Sequence, residues 1–211
     1  MIKAKRKHFN DTFTPEKYQQ FLDDINKTYN HTPPFRIAES PIFVPKALTK
    51  RLLEACEEIS ETIYHPKFKE WSEGALADTD LKVPNEDEHT LFLQMDFGIC
   101  LDEQGEPIPQ LIEAQGFPSL YFFQYLVAKK YKQYFEIPST YSSFLDGLNA
   151  EEYLEILRTA IIGESNPKNV VLLEIEPEKQ TTQIDFLAAN ALLGLKVLCI
   201  SKLKKRGKDL Y

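Results

Sequence analysis

Apolar residues recur every three or four positions in two early stretches of the chain. After Thr14-Pro15-Glu16, the residues Tyr18, Phe21, Leu22 and Ile25 share one helical face, and the pattern stops before Asn30. Thr14 suits the N-cap and Pro15 the first helical position, where a missing N–H costs nothing. Leu48, Leu52, Ala55, Ile59 and Ile63 set a second helix from Leu48 to Tyr64, with Glu54, Glu57, Glu58 and Glu61 mostly on its wet face. Between the two, the proline-marked segment Pro33 to Pro45 reads as an extended surface connection. Lys67 to Glu88 is mainly polar, with Phe68 and Trp71 as aromatic anchors, and reads as loop or short helical turns.

The pattern then shifts toward alternation. Leu91 to Leu101 and Gln110 to Gln115 read as two strands, joined through the turn-forming residues DEQGEPIP as a hairpin. Ser119 can cap a helix from Leu120 to about Tyr134, whose aromatics Tyr121, Phe122, Phe123, Tyr125, Tyr131 and Tyr134 suit core packing better than base stacking. Asn149 with Glu152 forms a capping-box pattern at the head of NAEEYLEILRTAI. Beyond Gly163, NVVLLEIE and KVLCIS read as buried parallel strands. They flank the helix TTQIDFLAANALLG, with Gly194 as its C-terminal cap.

These elements predict an α/β protein with α+β character in its N-terminal part. Residues 1–165 form a helical and hairpin part, and residues 166–211 form one βαβ unit, the start of a doubly wound sheet. Two parallel strands and one helix cannot cover both faces of a sheet. The unit is therefore expected either to extend the hairpin's sheet or to belong to a longer polypeptide, the second reading being favoured.

Composition narrows the function classes. The 211 residues are 43% hydrophobic and 27% charged, enough for one large domain or two small ones. A formal charge of -7 leaves no broad basic surface for nucleic acid. The local exceptions, Lys3 to Lys7 and Lys202 to Arg206, read as solvated, poorly ordered ends. No apolar run approaches the roughly twenty residues needed to cross a bilayer, and HFNDTFTPEKY is no signal-peptide core. No membrane partner and a cytoplasmic location are expected. Cys56, Cys100 and Cys199 are odd in number and set among apolar neighbours, the pattern of buried free thiols in a reducing compartment. A catalytic thiol paired with one of the four histidines is the minor alternative.

The chemistry-bearing feature is a pair of acids in the hairpin. Asp96 follows an apolar run and Glu113 stands inside another, although a lone carboxylate is costly to desolvate. Strand side chains alternate, so Gln94 and Asp96 share a face, as do Glu113 and Gln115. Pairing Asp96 with either Leu111 or Glu113 leaves all four polar side chains on one face of the sheet. Close like charges repel, and a hard divalent cation such as magnesium resolves this with carboxylates, an amide oxygen and waters. Pairing of either acid with a lysine, or plain solvation, is the simpler alternative. Paired acids for glycoside hydrolysis are a third, with no sugar-binding cleft to support them. Elsewhere, Asp78 and Asp80 lack EF-hand spacing, the four histidines share no metal-ligand spacing, and no glycine-rich phosphate motif is present. His89 lies nearest the acid-bearing strand.

The run Gln94-Met95-Asp96, then a turn, Glu113-Ala114-Gln115 and GFPSLYFFQ resembles the metal-binding hairpin of the glutathionylspermidine synthase-like, circularly permuted ATP-grasp family. VVLLEIEPEKQTTQIDFLAANALLGLKVLCIS is similar to the start of that family's Rossmann-like subdomain, so the resemblance spans about half the chain in two blocks. It implies an ATP-dependent carboxylate–amine ligase that uses magnesium and an acyl phosphate. It further implies metal ligation by Asp96, Glu113 and Gln115, with Gln94 facing the transferred phosphate and Ser119 near the substrate. The partners implied are a small-molecule or peptide carboxylate and an amine. Two amides depart from the family pattern, Gln94 standing for an arginine and Gln115 for an asparagine. The family's nucleotide-clamping lysines lie C-terminal to the Rossmann-like part, so a remainder of the chain or a partner subunit is expected to supply them. A catalytically degenerate binding or scaffold protein on the same fold is the alternative.

Overall fold

The computed structural model describes all residues except 78, 79, 81–84, 86 and 117–119. The helices are α1 (Lys3–Thr12), α2 (Pro15–Thr28), α3 (Lys46–Ile63), α4 (Phe68–Ser72), α5 (Tyr121–Tyr134), α6 (Ala150–Ile161) and α7 (Gln183–Leu193). The strands are β1 (Gln94–Leu101), β2 (Pro107–Gln115), β3 (Val171–Glu174), β4 (Lys196–Cys199), β5 (Lys205–Arg206) and β6 (Asp209–Leu210). Among the described residues they form three two-stranded sheets, β1–β2, β3–β4 and β5–β6. The molecule is thus a mixed helix-and-strand protein. It divides into two compact units: Met1–Ile2 with Phe43–Pro118, here the hairpin unit, and Lys3–Ile42 with Ser119–Tyr211, the helical unit.

In the helical unit α5 packs on α2 and on α7. The largest fully shielded side chains, Phe21, Ile25, Ile184 and Leu195, all belong to this unit. Phe21 meets Tyr131 with ring centroids 4.8 Å apart. An ion pair at the rim of the core joins α2 to α5: Lys130 Nζ lies 2.7 Å from Asp24, and Tyr134 donates its hydroxyl to the same carboxylate at 2.9 Å. The lysine's hydrogen bond holds the Asp24 carboxyl below its ordinary range. Local signals set the helix ends as expected. Thr14 accepts from Lys17 N–H, Asn149 and Glu152 form the full capping box, and Gly194 closes α7 in the left-handed region at φ 71°. The part of the proline-marked connection up to Ile42 belongs to this unit, with Ile37 buried and with Tyr18 and Tyr131 donating to the carbonyls of Ile37 and Ala38.

Both charged ends differ from expectation. The N-terminal basic run is the helix α1, because Phe9 on its inner face is 3% exposed and packs 5.1 Å from Phe135. The C-terminal basic run forms the hairpin β5–β6, closed by paired backbone hydrogen bonds between Lys204 and Tyr211, with Gly207 taking a positive φ at the turn. Strands β3 and β4 pair in parallel across α7, with Leu172 beside Val197 and Glu174 beside Cys199. The parallel pairing is as expected but the burial is not: Val171 and Leu173 of β3 are exposed and only Cys199 of β4 is buried, because a two-stranded sheet with one helix leaves its other face open. Of the three thiols only Cys199 is buried; Cys56 is half-buried and Cys100 exposed. The neighbours of Cys100 in sequence are apolar, but Ile99 and Leu101 are themselves exposed, so the local pattern misjudged that strand's depth.

In the hairpin unit α3 lies against β2, and Arg51 ties the two by donating to Pro107 O at 2.8 Å. Phe43 and Leu48 are buried. The segment after α3 forms α4 and a single 3-10 turn, within the range read as short helical turns. Trp71 is no anchor, however: it is 57% exposed and stacks on His65 at 4.5 Å. The strand connection is shorter than DEQGEPIP suggests, since Pro107 to Pro109 already belong to β2. Asp102 Oδ1 accepts the N–H groups of Gln104 and Glu106, and Gly105 takes the positive φ that this tight turn needs.

Candidate functional site: the acid-bearing hairpin

Strands β1 and β2 are antiparallel, with Gln94 opposite Gln115, Met95 opposite Ala114 and Asp96 opposite Glu113. Of the two registers open from sequence, the one that faces the carboxylates directly is formed. Immediately past this pair the register slips. Phe97 faces Leu111, and Ile112 is the extra residue of a β-bulge. Bulges bend a strand and re-aim its side chains, and this one lies against the acid pair. Thr90 fastens the open end of the hairpin by donating to Gly116 O at 2.7 Å.

Side-chain contacts converge on Asp96. Gln94 Nε2 donates to Asp96 Oδ1 at 3.4 Å and Gln115 Nε2 to Oδ2 at 3.3 Å. Both bonds are long for N–H···O contacts, and each is correspondingly weak. Gln94 Oε1 is buried with no hydrogen-bond partner. Asp96 is half-buried and Glu113 exposed. Ser119 lies outside the described residues. His89 is engaged elsewhere, edge-on to Tyr64 at 5.0 Å. The structure therefore brings together four of the five residues singled out in the sequence.

The donor set suits a hard cation: two acids are cross-strand neighbours by register, and an amide oxygen nearby lacks a partner. The set is lean, because no group of three or more His, Cys, Asp or Glu side chains is placed to hold a metal among the described residues. As the amides stand, Gln115 presents its nitrogen to Asp96, so its oxygen reaches a cation only after the amide turns over.

The unit also holds a cavity of about 800 Å³ lined in part by Ile63, Phe68, Leu76, Leu93 and Ala114. None of Gln94, Asp96, Glu113 or Gln115 lines it. Leu93 and Ala114 share the opposite strand parity from the acids, so the two features occupy opposite faces of the hairpin.

Two groups not singled out from sequence are electrostatically unusual, both in the helical unit. Asp185 is 5% exposed, the one buried charged side chain among the described residues. Its carboxylate accepts from Phe123 N–H at 2.7 Å, capping α5, whose own N-cap Leu120 is left-handed and makes no side-chain cap. Burial pushes its pKa up to about 6 against the pull of these backbone donors. Only its place in the first turn of an apolar helix could have drawn attention to it. Cys199 ends β4, where contact with Ser201 Oγ at 3.0 Å holds its thiol below the usual range.

Comparison of the chain with protein-family models, curated proteins and solved structures gives no match. No helix among the described residues is long and apolar enough to cross a membrane.

Proposed function

We propose that the chain carries the magnesium-binding part of an ATP-dependent carboxylate–amine ligase of the circularly permuted ATP-grasp type. The observation that supports this reading is the register that sets Asp96 directly opposite Glu113, flanked by Gln94 and Gln115 on the same face. Asp96 and Glu113 are the anionic ligands, and Gln115 supplies an amide oxygen when its amide turns over. Magnesium held by these residues would supply charge neutralisation for phosphoryl transfer from ATP to a carboxylate. Gln94 stands where a cation would face that phosphate, and a neutral amide holds it more weakly than a guanidinium. Ser119, two residues before α5, is assigned to the acid substrate on the resemblance alone.

One observation favours a second reading, a binding or scaffold protein with a degenerate site. Both glutamines already donate to Asp96, so its carboxylate is partly satisfied without a cation. Titration of the chain with manganese, followed by electron paramagnetic resonance with and without ATP, separates the two. The ligase reading expects saturable binding that weakens at least about tenfold in Asp96→Ala, the scale of losing one charged ligand. Binding that is absent, or unchanged in Asp96→Ala, leaves the scaffold reading.

A further inference from the structure

The helical unit holds a second, smaller cavity of about 330 Å³, near the low end of the roughly 300–1,000 Å³ typical of ligand sites. Its wall carries Lys129 and Lys132, one turn apart on α5, and the hydroxyls of Ser139, Ser142 and Ser143. No carboxylate lines it, although the protein as a whole carries a charge of -7. Ala128, Phe144 and Leu148 complete an apolar floor.

The cleft is formed before any ligand arrives. Lys129 donates to Tyr125 OH at 3.1 Å and lies 5.0 Å over that ring. Phe144 packs on Tyr153 with centroids 4.8 Å apart, and Asp146 and Gly147 turn the loop through the left-handed region into the Asn149 cap. Ser142 Oγ accepts from Phe144 N–H at 3.0 Å, so its own O–H remains free to donate. Lys129 meets one acid, Glu151, at 3.5 Å, outside the lining and with both side chains well exposed. Such a pair is worth little. Lys132 makes no ion pair among the described residues.

We propose that this cleft binds a small tetrahedral oxyanion, phosphate or the phosphate group of a small monoester, through Lys129, Lys132 and the three serine hydroxyls. Two point-charge cations and several O–H donors match an anion with three or more acceptor oxygens. The volume admits a phosphate with a short organic stub. The site is independent of the acid-bearing hairpin and of the reading given for it.

The test is a nuclear magnetic resonance titration of the isotope-labelled chain with sodium phosphate, ionic strength held constant with chloride. Expected are saturable shifts confined to Lys129, Lys132 and the segment 139–150, with a dissociation constant on the order of 1 mM. K129A/K132A weakens binding by about tenfold or more, in keeping with loss of charge-assisted hydrogen bonds, and K129R/K132R retains it. Melting curves matching the parent protein show that both variants keep the fold. Glycerol 2-phosphate binding more tightly than phosphate identifies an ester as the ligand class; equal binding identifies the free anion. The proposal is overturned if shifts fail to saturate, persist unchanged in K129A/K132A, or are matched by acetate at the same concentration.

Discussion

Phe21 and Ile25 are fully shielded in the helical unit, whereas Ile99 and Ile112 in the hairpin unit are 51% and 70% exposed. Side chains of similar apolarity meet opposite fates because the units bury surface differently. Helix α5 packs against both α2 and α7, and aromatic contacts and the Asp24–Lys130 bridge add to the packing. A two-stranded ribbon offers each residue one cross-strand neighbour, and α3 covers it only in part. Burial of apolar area is the main favourable term in folding. Cooperative stability therefore resides in the helical unit, while the chemistry-bearing acids sit on the more open one.

The contrast breaks most sharply at Phe21. Phe21→Ala removes a fully buried ring and is expected to cost about 3–5 kcal/mol, read as a lower urea midpoint. A loss below about 1 kcal/mol would mean that α2 is not part of the core.

Asp185 sharpens the comparison through pH. Its pKa is raised from the ordinary 3.8 to about 6 by burial. Between these values the folded state binds more protons than the unfolded one, so this contribution is fully present below about pH 4 and lost as pH rises through 6. Two pKa units correspond to about 3 kcal/mol. Unfolding of the parent protein and of Asp185→Asn, compared at pH 4.5 and 7, is expected to show a larger loss of stability with rising pH in the parent than in the variant. Equal slopes would remove Asp185 as its source.

The smallest effect is expected at Ile112. Ile112→Ser at the bulge should change stability by less than about 0.5 kcal/mol, because the side chain is already wet. A loss of several times that size would show that the exposed stripe of the hairpin is covered in solution.

Much of the helical framework was legible in the chain. Thr14-Pro15, Asn149 with Glu152, and Gly194 act on backbone groups within four residues, so their signals are local. The apolar runs around β3 and β4 were equally plain. The shared face of Gln94, Asp96, Glu113 and Gln115 followed from strand parity, but its register did not. The bulge at Ile112 depends on how two strands meet, and neither strand carries that information alone. The basic ends were misjudged for a related reason. One buried ring, Phe9, outweighs the four cations of α1, and only the partner ring of Phe135 reveals it.

The sequence by itself determined where α2, α6 and α7 begin or end, which residues alternate on the hairpin, and that two acids would share its polar face. Tertiary structure alone decided that Asp185 caps a helix 62 positions away, that Lys129 and Lys132 share a cleft with three serines, and that Asp96 faces Glu113. Capping and periodicity are fixed by neighbours along the chain. Burial, register and electrostatic environment are fixed by whatever the fold brings alongside, and a one-dimensional pattern holds no measure of that distance.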